Sequence, residues 1–149
     1  MAEAIGIASG LLALSVFAFQ SSISLYQVVD SFQSSKKVIR DLKDELEALN
    51  GVLRSLQQAA ADDTEHLSTL NLPLFRCGKA CEDFEEVIIK CTAHSGGSRT
   101  SFRDWAKLKY MGSDIVGFKD MLAGYKSTIN IALAEANLYV LKSNVSWLI

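Results

Sequence analysis

The chain has 149 residues, of which 49 % are apolar and 21 % charged, with nine glycines and a single proline. That is the length of one domain, and the composition excludes both disorder and low complexity. A net charge of −2 offers no general attraction to nucleic acid or to an anionic membrane.

The first element is the most unusual. From Ala4 to Val29 there is no charged side chain, and Glu3 and Asp30 bracket the run. The strongly apolar part, Ala4 to Phe19, would be about 24 Å long as a helix, short of the ~30 Å hydrocarbon core of a bilayer. Continued to Val29 it reaches about 39 Å, but takes in Gln20, Ser21, Ser22, Ser24 and Gln27. Those groups are tolerable where they face other helices. Gly6 and Gly10, with Ala8, Ser9 and Ala13, form a small-residue surface on which another helix can lie closely. The run has two destinations, the middle of a helical bundle or a bilayer, and we read it as serving both in two states. A secretory signal is the poorer reading, because the start Met1-Ala2-Glu3 is acidic where a basic one is expected. Three cysteines, an odd number, also speak for a reducing, cytoplasmic setting.

A second helix is expected from Ser34-Ser35 to about Ala61. Its apolar positions Ile39, Leu42, Leu46, Leu49, Leu53 and Leu56 alternate by three and four, and charged residues fill the other faces. The register extends back through Phe32, Val28 and Leu25, so the sequence leaves open whether the first two helices form one rod or bend near Ser31 to Ser35. The residues from Ala59 to Leu72, with the polar run Asp62-Asp63-Thr64-Glu65-His66, read as a loop with at most a short helical turn. Pro73 suits the first turn of a third helix, with Asn71 as its cap. That helix runs to about Thr92 with Leu74, Cys77, Cys81, Phe84, Ile88 and Cys91 on one stripe. Every cysteine thus falls at a core position, and zinc-type pairs are missing, so buried thiols are expected rather than a metal site.

Gly96 and Gly97 suit a stop after the third helix. Ser101 and Asp104 then have capping-box spacing for a fourth, Phe102 to about Met111. Gly112-Ser113 reads as a joint. A long final helix follows from Asp114, through Ile115, Phe118, Leu122, Tyr125, Ile129, Ala132, Ala136 and Tyr139. Arg99, Arg103, Lys107 and Lys109 cluster around the fourth helix, opposed only by Asp104. Such a cluster is ordinarily a solvated face; it is also the one patch suited to acidic lipid headgroups or a phosphorylated partner. The apolar end Trp147-Leu148-Ile149 is unlike a frayed terminus, which suggests the N-terminal part of a longer multidomain protein. The expected architecture is all-α, a bundle of about five helices with a hydrophobic N-terminal helix, as a single domain over residues 1–149.

Nothing argues for an enzyme. Both histidines, His66 and His94, fall in expected loops, no nucleophile elbow or zinc-protease motif occurs, and the carboxylates are interleaved with lysines along helix faces. No cofactor is expected.

Three stretches carry a resemblance: MAEAIGIASGLLALSVFAFQSSISLY, then VIRDLKDELEALNGVLRSL, and FRDWAKLKYMGSDIVGFKDMLAGYKSTINIALAEANL. Together they resemble the fungal HeLo-like domain, the N-terminal effector module of fungal STAND and related proteins, over nearly the whole chain. The resemblance implies an α-helical bundle that precedes a nucleotide-binding or repeat module. It implies a role in programmed cell death or heterokaryon incompatibility, in which oligomerisation sends the N-terminal helix into the plasma membrane. On that reading Ile5, Ile7, Leu11, Leu12, Leu14, Val16, Phe17 and Phe19 are covered at rest and are the insertion or oligomer surface, and a charge placed at Leu11 blocks insertion. Partners are then further copies of the chain and, conditionally, membrane lipid. The rival reading is a non-lytic dimerisation or adaptor module whose apolar N-terminus is core or subunit interface.

Overall fold

The computed structural model describes the backbone over residues 2–31, 37–62, 67–93 and 109–146, with side chains over 10–31, 37–61, 67–90 and 115–142. Four α-helices are found there: α1 (Ala2–Asp30), α2 (Lys37–Asp62), α3 (Asn71–Ala93) and α4 (Lys109–Ser146), with a 3-10 turn at Ser68–Leu70 leading into α3. No strand occurs among the described residues.

α2 is the simplest to explain. Ile39, Leu42, Leu46, Leu49, Leu53 and Leu56 are all buried, because a 3-4 alternation puts them on one stripe of a 3.6-residue helix. Its polar faces stay in water, where Lys37 pairs with Asp41 one turn on at 4.0 Å. α1 and α2 are not one rod. Lys43 pairs with Asp30 at 2.7 Å, and the Arg54 guanidinium lies 5.7 Å from the centre of the Phe19 ring. Eleven residues back along α1 match eleven forward along α2, so the two form an antiparallel hairpin.

The expected loop after Ala59 is shorter than the polar run suggests, since α2 continues to Asp62 and the 3-10 turn runs straight into α3. The Leu70 N–H donates to the Leu67 carbonyl at 3.0 Å. Asn71 is not a cap as expected: with φ −54° and ψ −50° it is already helical, whereas a cap holds an extended backbone. Pro73 sits in the first turn of α3, where its missing N–H costs nothing. Of the expected fourth helix, Phe102–Met111, residues 102–108 lie outside the described residues. Its last three belong to α4, which runs without interruption through Gly112 and Ser113. A single helical glycine costs only about 1 kcal/mol relative to alanine, too little to break a 38-residue helix packed along α2.

Side-chain contacts fix the topology. α1 packs chiefly on α3 and α2, α2 on α4, and α3 more sparingly on α4. Phe17 stacks near Phe75 at 6.2 Å and the Ser24 hydroxyl donates to Glu85 Oε1 at 2.7 Å, so α1 and α3 run parallel. Phe84 stacks on Phe118 with centroids 4.2 Å apart, and Tyr125 lies within electrostatic reach of Cys77 and Cys81, so α3 and α4 are antiparallel. The Lys126–Glu45 pair, 2.9 Å and largely shielded, ties α4 to α2. The result is an up-down-up-down bundle around a core of α2 leucines, Leu74, Cys77, Cys81 and Ile88 of α3, and Ile115, Leu122 and Ile129 of α4. Tyr139, expected on the α4 stripe, is exposed.

Candidate functional site

α1 lies in the cleft between α2 and α3, and its inward stripe is Leu11, Ser15, Ala18, Ser22, Leu25 and Val29, all buried. Half of those six positions carry small side chains, two of them hydroxyls. The large apolar groups lie on the other faces: Leu12 is 42 % exposed, and Leu14, Val16, Phe17, Phe19 and Ile23 are half-buried. Hydroxyls inside a bundle cost free energy unless bonded. Ser15 Oγ meets that need by donating to the Leu12 carbonyl at 2.8 Å, but the Ser22 hydroxyl is buried without a partner.

Large residues supply most of the burial energy, about 1.5–3 kcal/mol each. α1 contributes three fully buried ones to the core, Leu11, Leu25 and Val29, where α2 contributes six. By that measure α1 is anchored more weakly than α2, although its contacts with α3 and α2 are the most extensive in the bundle. By length and composition its Gly10–Asp30 stretch, with mean hydropathy 1.5, is sufficient to cross a membrane, and a third of that stretch is buried in the bundle.

One contact holds α1 by shape. The Phe17 ring occupies the space a Cβ would fill at Gly78 of α3, so this glycine admits a close approach that alanine would block. The expected small-residue surface is elsewhere. Gly10 has open space where its Cβ would be, Ala13 is exposed, and the side chains of Gly6, Ala8 and Ser9 lie outside the described ones. Sequence reasoning missed the Ser15-Ala18-Ser22 stripe; its signal was a 4-3-4-3-4 spacing from Leu11 to Val29 that apolar residues on every other face conceal.

The antiparallel hairpin and the α3 and α4 registers bring the start of α1, the end of α2, the start of α3 and the end of α4 to one end of the bundle. At this end residues 10–18, 55–61, 67–75 and 136–141 carry no charged side chain, and Arg54, Arg76 and Lys142 border them. Leu12, Leu72, Phe75, Leu138 and Leu141 are exposed there. Most of the remaining described charges lie toward the other end, including Lys79–Asp83 at 3.4 Å and Lys90–Glu86 at 3.1 Å. The acidic run after α2 lies outside the described side chains.

Of the expected insertion residues, Leu11 faces the core, Leu12 faces out and Leu14, Val16, Phe17 and Phe19 lie between; Ile5 and Ile7 lie outside the described side chains. So do Arg99, Arg103, Lys107 and Lys109 of the expected basic patch. Cys77 and Cys81 are buried free thiols. Their mutual hydrogen bond, then burial, pushes the Cys81 thiol far above the usual range. Held protonated and buried, the Cys81 thiol lacks nucleophilic character. An open groove of about 330 Å³ follows Glu82, Glu85, Glu86, Ile89 and Lys90 on α3, but Glu86 is paired with Lys90 and Glu85 with Ser24, as on an ordinary solvated face. No cluster of three potential metal ligands occurs among the described residues.

The family model for the pigment biosynthesis cluster protein PigL N-terminal region matches residues 2–148. No curated protein and no solved structure matches the chain significantly.

Proposed function

Since the chain belongs to the pigment biosynthesis cluster protein PigL N-terminal family, a fungal-associated helical group, we propose that it is a HeLo-like effector domain. In this reading copies are gathered by an attached signalling module of the STAND type. α1 then leaves its cleft and enters the plasma membrane, and the resulting leak drives cell death or incompatibility. The observation that carries the proposal is the thin inward stripe of α1, with Ser15, Ala18 and Ser22 against the core, Leu12 exposed and Phe17 and Phe19 only half-buried. Such a helix gives up fewer buried large side chains than α2 would, and gains hydrocarbon contact for its half-buried ones. The uncharged stretches at the end of the bundle that includes the start of α1 support the same reading.

The test is leakage from anionic vesicles with the chain clustered on an oligomeric scaffold. Leu11→Glu is unsuited, because Leu11 is buried and the bundle itself would fail. Leu12→Glu is the clean variant. At an exposed site it should change stability by about 0.5 kcal/mol or less, while a charge at mid-membrane costs roughly 2.5–3.5 kcal/mol. The expected outcome is a folded protein, by circular dichroism, that no longer leaks dye. A folded Leu12→Glu chain that leaks like its parent would remove insertion from the account.

The second reading is a non-lytic adaptor or dimerisation module serving a pigment biosynthesis cluster protein. The exposed apolar end of α4 favours it, and parent protein that leaves vesicles intact even when clustered decides for it.

A further inference from the structure

α4 is apolar on two opposite faces. One packs on the bundle through Phe118, Leu122, Ile129 and Ala136. On the opposite face Ile131, Ala134, Leu138 and Leu141 recur by three, four and three, and all four are exposed. Ile131, Leu138 and Leu141 each keep 57–58 % of their surface in water. In sequence the register continues at Val145 and Leu148, the second of which lies outside the described residues. Tyr139 and Val140 are also exposed in this segment, but the 3-4 stripe is the apolar face with polar positions on both flanks, and that pattern matches the seam of a second helix. The flanking positions are also specific. Asn130, Asn137 and Asn144 occupy one side at seven-residue intervals, and Glu135 and Lys142 the other. In an antiparallel pairing of two copies, positions on the same flank face each other. Glu135 of one chain then lies beside Lys142 of the other, twice by symmetry, and asparagine faces asparagine.

We propose that α4 carries a self-association seam, Ile131-Ala134-Leu138-Leu141, that joins two copies of this chain antiparallel about a two-fold axis. The seam lies away from the α1 cleft, so a pair forms with both N-terminal helices still docked. The inference deepens the proposed assembly and rests on that reading for its purpose, while the pairing itself needs no lipid.

Sedimentation of the 149-residue chain across a concentration series tests it. The parent should sediment as a dimer that dissociates on dilution, and Leu138→Glu as a monomer with unchanged helix content. Glu135→Lys should weaken the dimer about tenfold by setting lysine against Lys142, and Glu135→Lys with Lys142→Glu should restore it. A parent that remains monomeric, a dimer indifferent to Leu138→Glu, or a charge swap without rescue would each overturn the antiparallel seam. A chain that pairs without leaking vesicles removes the membrane role alone, and one that leaks as a monomer removes the seam alone.

Discussion

α1 and α2 line the same core and are built on opposite principles. α2 turns six large aliphatic residues inward and its charges outward; α1 alternates Leu11, Leu25 and Val29 with Ser15, Ala18 and Ser22 on its inward stripe and leaves most of its other large residues half-buried. Burial alone holds α2 with roughly 9–18 kcal/mol from those six residues, against roughly 5–9 kcal/mol from the three in α1. A bundle can therefore contain one wall that anchors and another that merely leans, and which is which follows from the size of the inward side chains.

The comparison breaks most readily at Leu49. Leu49→Ala in α2 should cost about 2–5 kcal/mol by urea unfolding, and Ser15→Ala, at a core position of α1, far less. Comparable losses would mean that α1 is no weaker a wall.

Alkaline pH probes α3, the surface on which α1 leans. The Cys81 thiol is held protonated in the folded chain by Cys77 and by burial, while in the unfolded chain it ionises above its ordinary value of 9.0. The folded state then binds the extra proton, so stability should fall as pH rises past 9.0, by up to about 1.4 kcal/mol per pH unit. Unfolding curves at a series of alkaline pH values check this, and Cys81→Ala should flatten the slope.

Ser22→Ala should stabilise the fold by about 1 kcal/mol, because it removes a buried hydroxyl with no partner and adds a better helix former. The thermal midpoint reads it, and under the proposed function the same variant should leak vesicles more slowly. A loss of stability would mean that the hydroxyl is satisfied in solution.

The smallest effects come from one chemical change made twice. Gly51→Ala in α2 meets open space and should gain up to about 1 kcal/mol of helix propensity. Gly78→Ala meets the Phe17 ring of α1, and displacing that ring should cancel the gain and leave a net loss of about 1 kcal/mol. Equal signs in the two melts would erase the shape contact between α1 and α3.

α2 was legible residue by residue, since a stripe of leucines set in charge admits one reading. The inward positions of α3 were legible for the same reason. α1 was not: with Leu, Val, Phe and Ile on all its faces, periodicity carries no signal, and Leu11 and Leu12 look alike until one is found inside and the other outside. The joint at Gly112-Ser113 was misread because glycine suggests a break, whereas the backbone continues when a long helix has packing on either side. Tyr139 follows the inward register of α4 yet is exposed, which periodicity along one helix cannot reveal.

The position of α1 has one more consequence. It touches α2 and α3 but makes no substantial contact with α4, and α4 touches both of the others. α1 is thus the piece that joins α3 to α2: drawn out, it leaves α3 held by its sparse contact with α4 alone, with the leucines of α2 lining an empty trough. Such a trough has the shape of an α1, and a neighbouring molecule's α1 is the nearest object that fits it.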